Sequence, residues 1–372
     1  MFFHIILTDE CNLCCRYCRG NESDAFLPSD EDCSLDLNLP PELAYDLSDL
    51  YSFLSRDPSA CITFYGGEPL MRADLVKEIM DHAPASRFMI QTNGLLLGSL
   101  GQQYLNRLET ILVSVDGPED LTDYHRGNGT FRLATSQVKD LRRNGFPGEV
   151  IARMTVTQKT NILTSVRYLA FNEDCPFSSI HWQIDAGFSG NPRAGDFRNW
   201  MDHSYIPGIR HLIRDWVTIM EESGRVARWY PFLQTTEDLL LGRESRLRCG
   251  CGYANYTIMT DGHIGPCPVM TGMRDYYVGH IRTADPLALP EIGLSGSCPE
   301  CDIFGFCGGR CLYADITRPW SPEQKELICR AVNALREGLT RVLPQIRNCI
   351  ESGRIGLDDF SHTRYNGCEI IP

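Results

Sequence analysis

No apolar stretch reaches the ~18 residues needed to cross a bilayer, and no basic segment followed by an apolar core and a cleavage site opens the chain. A membrane partner is therefore not expected, and the cytoplasm is the expected location. Positive charge is also scarce: 35 Lys and Arg stand against 48 Asp and Glu, a net charge of −13. Without a block of about five or six like charges, nucleic acid is not an expected partner. Cysteine is the exception, with 17 in 372 residues. In a small secreted protein that would suggest disulfides. Here the chain is large, lacks a secretion signal and places its cysteines at ligand spacings, which points to thiolate–iron chemistry.

The first group is Cys11-Asn12-Leu13-Cys14-Cys15-Arg16-Tyr17-Cys18, in which Cys11, Cys15 and Cys18 form a C-x3-C-x2-C pattern. Four thiolates close a cubane iron–sulfur cluster, while three leave one iron open to another ligand. Ahead of the loop, Phe2-Phe3-His4-Ile5-Ile6-Leu7 reads as a buried strand, and Thr8-Asp9-Glu10 as the turn out of it. A zinc knuckle or buried thiols would use the same residue types. The loop resembles that of the radical S-adenosylmethionine (SAM) superfamily, whose CxxxCxxC segment follows the first barrel strand. This resemblance implies that Cys11, Cys15 and Cys18 hold a [4Fe–4S] cluster whose open iron chelates the amino and carboxylate groups of SAM. Tyr17 would supply an aromatic face beside it.

Residues 21–40 are polar and contain proline, which reads as a surface loop. Pro41 then opens an expected helix with Leu43, Leu47, Leu50, Tyr51 and Leu54 on one face. Further strands are expected at 61–65, 87–92, 110–115, 149–157 and 179–185, alternating with helices near 70–82, 99–107, 130–144 and 161–172; a long helix follows at about 199–223. Such alternation argues for an α/β fold of parallel βαβ units with functional residues at the strand ends. With six units, the resemblance makes it a partial (β/α)6 TIM-like barrel.

The strand ends carry matching segments. Gly66-Gly67-Glu68-Pro69 resembles the superfamily's GGEP motif, in which glycines admit the ligand and polar groups bind the SAM amine. A carboxylate and carbonyls suit an ammonium, which only donates. Gln91-Thr92-Asn93-Gly94 and Ser114-Val115-Asp116-Gly117-Pro118 resemble the family's QTNG and S-x-DG segments near the SAM sugar, which implies ribose contacts from Thr92, Asn93, Ser114 and Asp116; both are also ordinary turn signals. Arg126, in Tyr124-His125-Arg126-Gly127, resembles the arginine that reaches the SAM carboxylate, and Arg153 competes for that task. Asp185, at the sixth strand's tip, is a candidate base or a loop residue, and no catalytic residue is assigned.

Beyond about 236 the alternation stops and cysteines return: Cys249-Gly250-Cys251, Gly262-His263-Ile264-Gly265-Pro266-Cys267, Cys298-Pro299-Glu300-Cys301, then Cys307, Cys311 and Cys329. The pattern resembles the seven-cysteine SPASM domain, which binds two auxiliary [4Fe–4S] clusters. By that resemblance Cys267 and Cys311 join the 249–251 pair on the first, and Cys298, Cys301, Cys307 and Cys329 hold the second. Whether Cys249 and Cys251 both ligate is open, because two cysteines one residue apart make an awkward span. Cys329 lies on an expected helix that Ser321-Pro322-Glu323-Gln324 announces as a capping box. The expected domains are a barrel over 1–235, a cysteine-rich iron–sulfur domain over 236–345 and a tail over 346–372. Cys14, Cys33, Cys61, Cys175, Cys349 and Cys368 belong to no motif and read mostly as buried thiols.

Together the resemblances imply a radical SAM enzyme with three [4Fe–4S] clusters that modifies a ribosomally made peptide, forming a thioether or another crosslink. Its expected partners are a peptide or protein substrate that carries cysteine and an electron donor such as ferredoxin or flavodoxin. Pro268 follows Cys267 where sulfatase-maturing relatives carry a catalytic Asp, which disfavours formylglycine formation. Because the cluster loop begins at residue 11, a leader peptide would be read by the barrel, the second domain or a separate protein. The alternatives are action on a protein side chain or a small molecule, and, outside enzymes, an iron–sulfur electron carrier.

Overall fold

The computed structural model describes residues 1–18, 34–186, 194–369 and 371. By contacts they form two units that interleave in sequence. One comprises Met1–Val115, Thr122–Ile151 and Gly250–Gly293, and the other Asp116–Leu121, Ala152–Cys249 and Leu294–Pro372. The expected domain boundaries are linear, whereas Gly250–Gly293 groups with the amino-terminal strands.

The first unit is built on a sheet of β1 (Phe2–Ile6), β2 (Cys61–Tyr65), β3 (Arg87–Thr92) and β4 (Leu108–Ser114), in parallel order β4-β3-β2-β1. The apolar run of β1 is almost wholly buried, as expected for a parallel strand covered on both faces. Phe3 meets Phe53 edge to face at 5.3 Å, docking the helix Leu47–Leu54. That helix starts six residues later than Pro41 suggested. The Leu43 N–H donates to the Leu7 carbonyl at 3.0 Å and Glu42 bridges to Thr8, so the segment runs extended until Asp46 caps the helix through the Ser48 N–H at 2.8 Å. Similarly, the helix expected at 99–107 is two short turns, Leu97–Leu100 and Gln102–Leu105, interrupted by Gly101 at φ +76°.

On the other side of β1, strand β7 (Asn255–Ile258) pairs in parallel, followed antiparallel by β8 (His263–Gly265) and β9 (Gly279–His280). A buried polar pair, His4 Nδ1 with Asn255 Oδ1 at 3.0 Å, sits on this junction. Sequence reading had no signal for it, because four residues without alternation do not announce a strand.

In the second unit, β5 (Glu149–Val156), which begins in the first unit, leads to β6 (Ser179–Ile184), and the helix Ile162–Phe171 is capped by Asn161. The expected helix at 199–223 is interrupted. A helix at Ala194–Trp200 passes through a π turn, Met201–Tyr205, into Ile206–Ser223, and Pro207, which has no N–H to donate, stands at the start of the last piece. The helix Pro322–Glu351 begins in the expected capping box, with Ser321 N–H to Gln324 Oε1 at 2.9 Å and Gln324 N–H to Ser321 Oγ at 3.3 Å.

The tail carried no signal in sequence, yet it is packed. Phe360 completes an aromatic cluster with Trp216 and Phe232, and Asn366 donates to Tyr230 Oη at 2.9 Å. Burial raises the Glu369 carboxyl from 4.5 to about 7. A carboxyl whose pKa is higher in the folded chain favours folding at low pH and gives up that contribution as pH rises from 4.5 through about 7. Glu369→Gln should therefore gain on the wild type by up to about 3 kcal/mol between about pH 4.5 and pH 8. Urea melts of both proteins at those two pH values read the difference, and a constant gap would contradict it.

Candidate functional site

The first unit places the three amino-terminal cysteines just past the end of β1. The loop is held from beneath by the Gly66–Pro69 segment that follows β2. Gly67 N–H donates to the Thr8 carbonyl and Glu68 N–H to the Glu10 carbonyl, each at 2.8 Å. A Cβ on Gly66 would strike the Thr8 carbonyl oxygen, and one on Gly67 the backbone of Asp9 and Glu10. These glycines are thus required by backbone packing against the residues that lead into the cysteine loop, a reason additional to ligand approach.

Glu68 is 1 % exposed. Its Oε1 accepts from Thr92 Oγ1 at 2.7 Å and from the Leu70 N–H at 3.1 Å, and its Oε2 accepts from the Asn93 N–H at 2.7 Å. Burial pushes this carboxyl up, and the three donors pull it back. The side chain expected to meet the SAM amine thus also ties the loop after β2 to the loop after β3. Asn93 continues the chain of contacts, donating from Nδ2 to Asn12 Oδ1 at 2.7 Å and toward the Cys11 sulfur at 4.0 Å.

Cys11 also accepts the Leu13 N–H at 3.4 Å, and the Cys18 N–H closes a turn on the Cys15 carbonyl at 2.9 Å. Although Cys11 keeps solvent contact, crowding around its sulfur pushes the thiol up, with the charges of Glu68 and Cys18 adding to this and the Leu13 and Asn93 donors opposing it. A thiol of this kind ionises readily only when a metal replaces its proton. Soft sulfur ligands with N–H donors aimed at them fit an iron–sulfur cluster. Among the described residues no three His, Cys, Asp or Glu side chains gather as a single metal ion requires. The thiolates of a cubane each take a different iron, so their separation is wider.

A second hold on the loop comes from a helix absent from the sequence reading, Glu119–Arg126. Gly117-Pro118-Glu119-Asp120 carries its signal, a proline followed by acids in the first turn. The His125 carbonyl accepts the Arg16 N–H at 2.8 Å, the Tyr124 carbonyl accepts Arg16 Nε at 2.7 Å, and the Tyr17 ring lies 5.0 Å from that of His125. The Arg126 guanidinium sits over the Tyr17 ring at 5.3 Å. Tyr17 and Arg126, expected to serve one ligand, therefore touch each other. A hollow of about 520 Å³ is lined by Cys14, Arg16, Asp123, Tyr124, His125, Gly127 and Asn128, and by none of the three expected ligand cysteines.

The remaining expected contacts divide. Ser114 ends β4 in the first unit. In the second unit, Asp116 is fully buried and its Oδ1 accepts the Thr155 N–H at 3.0 Å, while Arg153 donates to Gln183 Oε1 at 3.3 Å. Asp185 follows β6 with its N–H on the Val156 carbonyl at 2.9 Å. Most of the 21–40 loop, Cys33 included, lies outside the described residues. Of the cysteines without a motif, Cys61, Cys349 and Cys368 are buried, Cys175 is half-buried and Cys14 is exposed.

The second unit carries four of the later cysteines, Cys298, Cys301, Cys307 and Cys329. Burial raises the thiols of Cys298, Cys307 and Cys329, with Cys307 reaching about 11; further increases come to Cys298 from Cys329 and Cys301, to Cys307 from Cys329 and Cys298, and to Cys329 from Cys301. Contributions of this kind put the four sulfurs within electrostatic reach of one another. Cys311 starts the helix Leu312–Thr317 and Cys249 is half-buried in the same unit, while Cys251 and Cys267 belong to the first.

A cysteine triplet at the C-terminal edge of a parallel α/β sheet, braced by the loops after β2 and β3, is a donor set that fits an iron–sulfur cluster with one iron left open. The chain matches the Radical SAM superfamily over residues 5–162. It is 30% identical over 305 residues to the uncharacterized protein MJ0907 of Methanocaldococcus jannaschii, covering 79% of this chain and 93% of that one. The chain belongs to the radical SAM superfamily, whose cofactors are SAM and a [4Fe–4S] cluster. The curated relatives that match first are spanned less fully, at 58% and 34% of their length. Among solved structures the fold is similar to native anSMEcpe with bound AdoMet and Cp18Cys peptide, with TM-score 0.69 and 17% identity over 94% of this chain and 99% of that one. It is also similar to Streptococcus suis SuiB bound to precursor peptide SuiA, with TM-score 0.52 and 16% identity over 87% and 74%.

Proposed function

We propose that this protein is a radical SAM enzyme that modifies a residue of a ribosomally made peptide, forming a thioether or another crosslink, with the help of two auxiliary [4Fe–4S] clusters. The observation that carries this reading is a second set of thiols at ligand spacing, Cys298, Cys301, Cys307 and Cys329, all in the second unit and acting on one another's charge. Minimal SAM cleavage needs only one cluster. Two solved relatives of the fold hold peptides, which supports a substrate of that class.

Cys11, Cys15 and Cys18 would hold the cluster, and with SAM it would supply radical chemistry able to act on an unreactive C–H bond. The chain's part is to bind, orient and exclude water. Glu68, Thr92 and Asn93 tie together the loops after β2 and β3, and Arg126 stacked on Tyr17 would offer the ligand a flat cationic face. Arg126 suits the SAM carboxylate because a guanidinium binds it by two parallel hydrogen bonds. Pro268 opens a short turn, Pro268–Met270, directly after Cys267, so this position offers no carboxylate for formylglycine chemistry. Ferredoxin or flavodoxin is the proposed electron donor.

Anaerobically reconstituted protein, given a low-potential reductant, SAM and cysteine-containing candidate peptides sought in the neighbouring reading frames, should yield a peptide lighter by H2 for each thioether formed. Deoxyadenosine without any change in the peptide would favour a small-molecule substrate. Cys307→Ala should remove roughly a third of the iron while leaving peptide-independent SAM cleavage partly intact. Full iron content in that variant contradicts the assignment of Cys307 as a ligand.

A further inference from the structure

Between two of the expected cluster cysteines runs Cys307-Gly308-Gly309-Arg310-Cys311, and its three middle residues all have left-handed backbones, with φ of +68°, +78° and +57°. Glycine adopts this conformation freely, but arginine does so only against steric resistance from its own Cβ. The loop is locked in place: the Leu247 N–H donates to the Gly308 carbonyl at 2.6 Å, and a Cβ on Gly308 would crowd the backbone of Arg246 and Leu247. Gly309 directs its N–H at the Cys307 sulfur.

Arg310 is therefore held in an unfavourable conformation at one spot. Its guanidinium stacks over the Trp320 ring at 4.8 Å, and its Nε is buried with no hydrogen-bond partner. A buried guanidinium nitrogen without an acceptor is unfavourable unless negative charge faces it. Arg310 stands three residues after Cys307 and one before Cys311, so the locked loop that fixes the cation also carries two of the expected ligands.

We propose that Arg310 is a positioning residue for electron transfer, a cation fixed against the cluster held by Cys298, Cys301, Cys307 and Cys329 that raises this cluster's reduction potential. The proposal rests on the auxiliary-cluster reading above. A cubane with four thiolates is an anion, and one electron taken from a low-potential donor makes it one unit more negative. A fixed positive charge stabilises the reduced form more than the oxidised one, and net charge and hydrogen bonds to sulfur are the protein's main controls of the potential. Stacking on Trp320 keeps the planar guanidinium in place, a task the flexible ammonium of lysine performs less well. Lys325 stands four residues before Cys329 on the same helix, but it is exposed, so water screens its charge.

The test is a redox titration of the full reconstituted chain, followed by electron paramagnetic resonance, with iron counted in every sample. Arg310→Asn removes the charge with a residue that tolerates the left-handed backbone. The component that disappears in Cys307→Ala should in Arg310→Asn become about tenfold harder to reduce, a fall of about 59 mV for one electron, while the other components stay in place. Arg310→Lys should restore most of the shift, and Lys325→Gln should move the same component by less. An unchanged midpoint in Arg310→Asn with full iron overturns the proposal. Should Arg310→Asn lose that component, its retention near the wild-type potential in Arg310→Lys supports the charge, and its loss there overturns it. Wild-type protein with iron for a single cluster overturns the cluster reading itself, and with it this inference.

Discussion

Cys15→Ala is expected to lower 5′-deoxyadenosine production more than ~100-fold, to the level of a protein-free control, under strong reductant and saturating SAM. Losing even an outer partner of a metal ligand reduces metal affinity by about 10–100-fold, and this change removes a ligand itself. Cys15 is the buried member of the triplet, 9 % exposed, and its carbonyl accepts the Cys18 N–H at 2.9 Å. The backbone turn survives in alanine, so the variant should fold and lose only the sulfur. Cys14→Ala is the matched control. Cys14 is exposed and stands next to the triplet without belonging to its spacing, so that variant should keep its site iron and its deoxyadenosine. Deoxyadenosine at the wild-type rate from Cys15→Ala would sink the site-cluster assignment.

The second large effect is expected at Glu68. Replacing it by alanine leaves the Leu70 and Asn93 N–H groups and the Thr92 hydroxyl without acceptors in a buried place. Each buried unsatisfied group costs about 1–3 kcal/mol. Partial relaxation should leave a net loss of about 3–5 kcal/mol, read from denaturant melts of the unreconstituted chain. Glu68→Gln should lose less, because its amide oxygen still accepts two of the three donors. If Glu68 served only as a ligand to the SAM amine, Glu68→Ala would melt like the wild type and fail only in SAM binding. The melt therefore separates a brace from a ligand contact.

Strands β1 to β6 and most of their helices were legible because apolar runs and helical spacing are local properties of the chain. The cysteine triplet, Gly66–Pro69 and Gln91–Gly94 were legible for the same reason, as short segments with fixed offsets. Errors arose where a distant backbone group took a hydrogen bond or where a glycine left helical geometry. The Leu7 carbonyl claimed the Leu43 N–H and delayed the helix there, and Gly101 divided the helix expected at 99–107. The helix Glu119–Arg126 had a readable start in Pro118-Glu119-Asp120, but Asp-Gly-Pro drew attention as a turn.

By itself, then, the sequence determined the alternating α/β core, the spacing of thiols that can each take an iron, and the family to which the chain belongs. Tertiary structure decided which groups those residues face. It made Glu68 a brace between two loops, set Arg126 on Tyr17, paired β7 with β1, and stacked Arg310 on Trp320. The physical reason is that spacing and propensity act over a few residues, while the partner of a buried donor, acceptor or charge is chosen among groups brought together only when the chain has folded.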